Sequence, residues 1–112
     1  MLLLYKDKIL NKISKEYPER DNNLIRIWLF GSVAKEYYNP NSDIDILLIT
    51  KNKKDTREHF SDFKMEVLLN YKVLINAMYV KEEEFDHSIE PIYKEIKNEG
   101  IILWEKKKIQ NK

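Results

Sequence analysis

Two aspartates one residue apart, Asp43 and Asp45, stand at the head of the apolar run Ile44 to Thr50. Strand side chains repeat their direction every second residue, so both carboxylates project from one face. Their Cα atoms then lie roughly 6.5–7 Å apart. Like charges held this close repel unless something positive sits between them. Magnesium suits the position, because it takes a few carboxylates together with phosphate oxygens and water. Upstream, Gly31 has no side chain and lets a phosphate come close to the backbone. Ser32 adds a hydroxyl, and the helix expected after it offers free amides and the positive end of its dipole. In outline, the stretch is a site for a triphosphate and its metal.

The elements that must position these residues follow from the hydrophobic pattern. Tyr5, Ile9, Ile13 and Tyr17 recur at helical spacing and predict a helix over Leu3–Tyr17, ended by Pro18. Glu19 to Asn23 reads as a polar loop. Leu24–Phe30, apolar except for Arg26, predicts a buried strand running into Gly31. A short helix over Val33–Tyr38 and a turn over Asn39–Ser42 carry the chain to the second strand, Ile44–Thr50. After a charged loop, Lys51–Lys54, Asp55 and Glu58 have capping-box spacing at the head of a helix buried through Phe60, Phe63 and Val67. Val73–Val80 predicts a third strand, and Glu82 to Glu84 a polar turn. Ser88 is the expected cap of a last helix with Ile89, Ile92, Tyr93 and Ile96 on one face and Gly100 as its stop. Ile101–Trp104 reads as a short edge strand, and residues 105–112 as a charged tail. The fold class is α/β or α+β: one small mixed sheet of three to four strands flanked by helices, in a single domain over residues 1–104.

Composition narrows the function classes. The 112 residues are 35% charged, yet the formal net charge is only +1. A protein that grips a long nucleic acid needs a basic surplus, so long polynucleotide partners are disfavoured. There is no cysteine, which removes disulfides, thiolate catalysis and cysteine-bound zinc. Lys6, Asp7 and Lys8 break the apolar start before a leader or membrane span could form, and the chain reads as soluble and cytoplasmic. His59 and His87 have no second histidine at metal spacing and read as surface residues. Tyr37 and Tyr38 read as packing residues, and Lys106 to Lys108 as solvated.

The motif also carries a resemblance. Gly31-Ser32, ten residues from Val33 to Ser42, then Asp43-Ile44-Asp45 resembles the signature of the DNA polymerase β-like nucleotidyltransferase superfamily. Ala34-Lys35 and Ser42 extend the likeness, with Lys35 where the pattern usually has arginine. The short length resembles the minimal nucleotidyltransferases, many of which pair with a helical HEPN-type partner in toxin–antitoxin systems. The resemblance implies a nucleotidyltransferase fold and transfer of a nucleoside monophosphate, AMP from ATP first among them, to a hydroxyl. It implies Asp43 and Asp45 as catalytic residues that bind Mg2+ or Mn2+, and Gly31, Ser32, Lys35 and Ser42 as nucleotide-binding residues. It also implies a tyrosine of a HEPN-type partner as one possible acceptor.

The chain departs from the family pattern on the third strand, where a third carboxylate usually completes the site. Tyr71 to Val80 contains no acid. Asn76 is the polar interior position there, a candidate for the third place or an amide satisfied by its neighbours. Two readings stay open. Either the two-aspartate site turns over, with an acid such as Glu82 or Glu66 supplied from elsewhere, or catalysis has faded and the domain binds nucleotide or docks on a partner.

Overall fold

A computed structural model describes residues 2–31 and 43–107. The order is α1 (Leu2–Lys15), a 3-10 turn (Tyr17–Arg20), β1 (Leu24–Phe30), β2 (Ile44–Thr50), α2 (Lys53–Tyr71), β3 (Ile75–Val80), α3 (Glu82–His87), α4 (Pro91–Glu99) and β4 (Ile101–Glu105). The strands form a mixed sheet in the order β3-β2-β1-β4. β1 pairs antiparallel with both β2 and β4, whereas β2 and β3 run parallel, joined through α2. The expected helix Val33–Tyr38 and turn Asn39–Ser42 lie outside the described residues.

Alternation along the strands sorts side chains onto two faces. One face packs Leu24, Ile27, Leu29, Ile44, Ile46 and Leu48 against Ile9, Ile13, Tyr17, Phe60, Phe63 and Val67 of the first helical segments and α2. The Tyr17 and Phe60 rings meet edge-on with centroids 4.8 Å apart, the geometry aromatic quadrupoles favour. The other face packs Leu47, Ile49 and Val80 against Phe85 and Ile96, with Trp28, Ile92 and Tyr93 at the margin. β2 is central and buried on both faces, which explains its nearly continuous apolar sequence.

A buried polar knot ties the layers together. Asp21, 2% exposed, accepts from the Tyr17 hydroxyl at 2.8 Å, the Thr56 hydroxyl at 2.7 Å and the Asn23 amide at 3.0 Å. The Thr50 and Thr56 hydroxyls are also bonded, at 2.6 Å. Asp21 therefore belongs to the core rather than to a solvated loop. Burial, reinforced by the Asp21 hydrogen bond, pushes the Tyr17 phenol far above its ordinary pKa.

Several boundaries differ from expectation for identifiable reasons. Asn52, not Asp55, caps α2: its side chain accepts from the Asp55 amide at 3.0 Å, so the helix starts at Lys53. β3 begins at Ile75 rather than Val73 because α2 ends in a left-handed cap, Lys72 at φ 59°, and two residues are spent reversing direction. Ser88 follows α3 instead of capping α4, and its hydroxyl accepts from the Glu90 amide. That leaves Ile89 outside the helix and 86% exposed. Gly100 does end α4, but at φ −77°; a β-carbon there would lie 2.6 Å from the Ile96 carbonyl and 3.0 Å from the Trp28 ring. β4 extends one residue past the expected end, because Glu105 meets Arg26 of β1 at 2.7 Å. Among the described residues, no helix is long and apolar enough to cross a membrane.

Candidate active site

The candidate site is built where β1 ends and β2 and β3 begin. Antiparallel register sets Phe30 opposite Asp45, and parallel register sets Asn76 beside Asp45. Asp45 follows Ile44, whose side chain is committed to the α2-side core, so alternation sends the Asp45 carboxylate to the opposite face. Asp43, just before the strand, falls on that same face. Ile44 is anchored in turn by its amide, which donates to the Leu74 carbonyl at 3.1 Å.

The two carboxylates converge on one group. The Asn76 side-chain nitrogen donates to Asp43 Oδ2 at 3.0 Å and to Asp45 Oδ1 at 3.1 Å. Both aspartates are half-buried and Asn76 is exposed, so the site opens to solvent. Gly31 closes the other side of Asp45. Its φ of +79° is the left-handed conformation that glycine adopts at least cost. A β-carbon on Gly31 would overlap Asp45 Oδ2 and come within 3.0 Å of Asp45 Cγ. The missing side chain thus makes room for the Asp45 carboxylate, a role that sequence reasoning did not assign. The signal for it was the pairing of Phe30 with Asp45, which no local motif states.

The other expected site residues divide clearly. Ser32, Lys35 and Ser42 lie outside the described residues. Glu66 is engaged elsewhere, in a two-point ion pair with Arg20 at 2.9 and 3.1 Å, and those hydrogen bonds hold its carboxyl below the usual range. Glu82 lies past the far end of β3 from Asn76, roughly 20 Å along an extended chain. There it pairs with Arg26 at 3.5 Å. Neither acid supplies the missing third carboxylate. Among the described residues, no third acidic, histidine or cysteine side chain joins Asp43 and Asp45. His59 and His87 are exposed.

What the arrangement can do is concentrate negative charge at one solvent-facing point, beside a glycine whose missing side chain makes room for one of the two carboxylates. That combination suits a divalent cation carrying phosphate oxygens. Residues 11–109 match the polymerase beta nucleotidyltransferase family. The chain belongs to that family. It is therefore an enzyme of the nucleotidyltransferase class, with the mixed sheet and flanking helices of that fold. A curated relative from Methanocaldococcus jannaschii, named "Putative protein adenylyltransferase MJ0604", is 33% identical over 98 residues, covering 87% of this chain and 92% of the relative. Among solved structures, a toxin-antitoxin crystallised with AMP-PNP superposes with a TM-score of 0.66 at 21% identity, over 87% of this chain and 73% of that one. A crystal structure of "a putative nucleotidyltransferase from Sulfolobus solfataricus" gives 0.60 at 21% identity, over 93% and 86%. At that identity the structural likeness speaks for the fold.

Proposed function

We propose that this nucleotidyltransferase moves AMP from ATP to a hydroxyl of a partner protein, with Asp43 and Asp45 as its catalytic carboxylates. The observation that carries the reading is their convergence on a single point, where one amide nitrogen reaches both. That point now holds a hydrogen-bond donor, the partial positive charge two anions require, and the donor set of two hard oxygens fits magnesium or manganese. When bound there, such a cation neutralises charge on the triphosphate and on the leaving pyrophosphate.

The chain's own residues supply the rest. Gly31 leaves the Asp45 carboxylate space to stand at the strand end. Ser32, Lys35 and Ser42, assigned from sequence, hold the triphosphate through hydroxyls, an ammonium and the backbone around them. In the transfer, the acceptor oxygen bonds to the α-phosphorus as the bond from that phosphorus to the bridging oxygen of pyrophosphate breaks. The acceptor's proton passes to a carboxylate of the pair or to water, because the Asn76 amide is no base.

The protein acceptor is supported by the relative of nearly equal length whose name describes adenylyl transfer to protein. The helical HEPN-type partner, with a tyrosine as acceptor, rests on the resemblance to the minimal nucleotidyltransferases and on the toxin-antitoxin fold neighbour. The test is incubation with α-labelled ATP, magnesium or manganese, and the co-expressed neighbouring protein. Label should reach the partner, and Asp43→Asn or Asp45→Asn should cut transfer by on the order of a hundredfold or more. Absence of label with partner binding intact in both variants would replace transfer by docking, the reading that the missing third acid favours.

A further inference from the structure

Asn76 occupies an unusual place for a neutral residue. Its two amide hydrogens are matched one to one with two carboxylates, Asp43 Oδ2 at 3.0 Å and Asp45 Oδ1 at 3.1 Å. Two acceptors bonded to one NH2 group lie roughly 5 Å apart. At that range the like charges would drive the carboxylates apart if nothing lay between them. The rest of the surroundings supply little restraint: Asn76 is exposed, both aspartates are half-buried, and no further acid, histidine or cysteine cluster is present among the described residues. Among the described residues, Gly31 stands close behind the Asp45 carboxylate.

We propose that Asn76 is a neutral clasp: it holds Asp43 and Asp45 converged while the site is free of cation and competes with a cation for them. This rests on the reading of the pair as the metal-binding carboxylates. A cation seated at the point where the two carboxylates converge takes the place of the amide nitrogen, so the two oxygens that face Asn76 give up its hydrogen bonds to take an ion there. The exposed side chain has room to swing aside, so the exchange needs no movement of the sheet. The consequence is conditional loading. A free divalent ion finds two carboxylates already engaged, whereas one carried by a triphosphate arrives with additional oxygen ligands and outcompetes the clasp. Asn76 is accordingly a positioning residue, acting through the aspartates. It also keeps the geometry ready without placing a third negative charge on the strand.

The test measures free Mn2+ binding by electron paramagnetic resonance on the full chain, without nucleotide, alongside metal-free melting. Asn76→Ala removes both donors and adds no charge. It should bind Mn2+ at least threefold more tightly than the native chain while melting at lower temperature without metal. Asn76→Asp should bind at least tenfold more tightly, with its lower metal-free midpoint restored by Mn2+. A purely structural asparagine would lower both midpoints and leave Mn2+ affinity unchanged. In the native chain, the Asn76 side-chain amide signals in 15N spectra should shift on titration with Mg2+. Unchanged or weaker Mn2+ binding in Asn76→Ala overturns the proposal. Should Asn76→Asp not fold, Asn76→Ala and the native amide signals decide. Label transfer is scored separately: tightened Mn2+ binding without transfer would refute adenylyl transfer to the partner and keep the clasp, and transfer with unchanged affinities would do the reverse.

Discussion

Gly31→Ala separates two functions of one missing methyl group. The first cost is conformational: at φ +79° an alanine pays about 1–2 kcal/mol for the left-handed backbone. The second is local. The new β-carbon would overlap Asp45 Oδ2, so the carboxylate must retreat, weakening its bond from Asn76 by about 1 kcal/mol. Together these predict a stability loss of about 2–3 kcal/mol, or roughly 8–12 °C in melting temperature for a domain of this size. Activity should fall further than folding does. A displacement of about 1 Å in a group that positions the reacting atoms costs on the order of a hundredfold. The assay pairs thermal melting with transfer from α-labelled ATP at a temperature where both proteins are folded. Gly100→Ala is the control, because its β-carbon would meet the Ile96 carbonyl and the Trp28 ring and never touches the aspartates. It should lower the melting temperature while preserving transfer per folded molecule. Native transfer in folded Gly31→Ala would refute the claim that this glycine exists to accommodate Asp45.

Other perturbations probe the scaffold. Tyr17→Phe leaves buried Asp21 without one of its donors and should cost about 1–3 kcal/mol in urea unfolding. A loss near zero would mean that the hydroxyl is replaceable. The raised Tyr17 pKa also fixes a sign: the folded protein keeps this proton where the unfolded chain, at about pH 10, begins to lose it. Its stabilising contribution is therefore full below pH 10 and declines as pH rises beyond it. Urea midpoints at pH 9 and 11 should fall less in Tyr17→Phe than in the native chain. Phe60→Ala empties the centre of the α2-side core and should cost about 3–5 kcal/mol; a loss below about 1 kcal/mol would mean that the ring is not the packing centre its contacts indicate.

Much was legible from residue order alone because it depends on local periodicity and local chemistry. The alternation around Ile44 placed Asp43 and Asp45 on one face whatever the rest of the chain did. The apolar run Ile44–Thr50 announced a strand, and Phe60, Phe63 and Val67 announced the buried stripe of α2; that β2 is buried on both faces follows from its internal place in the sheet. Asn76 was visible as a polar residue in an otherwise apolar strand. Tertiary structure decided what depends on register and on contacts distant in sequence. Only the parallel pairing of β2 with β3 puts the Asn76 amide between the two carboxylates, 33 and 31 residues away. Only the antiparallel pairing of β1 with β2 turns Gly31 toward Asp45. Burial of Asp21 joins its neighbours Tyr17 and Asn23 to Thr56, 35 residues away, and that distant donor is what no reading of the local polar run could supply. Glu66 and Glu82, interchangeable as spare acids in sequence, were assigned away from the site by Arg20 and Arg26. Spacing determines which way a strand residue points, whereas the partner it meets is set by how the strands align.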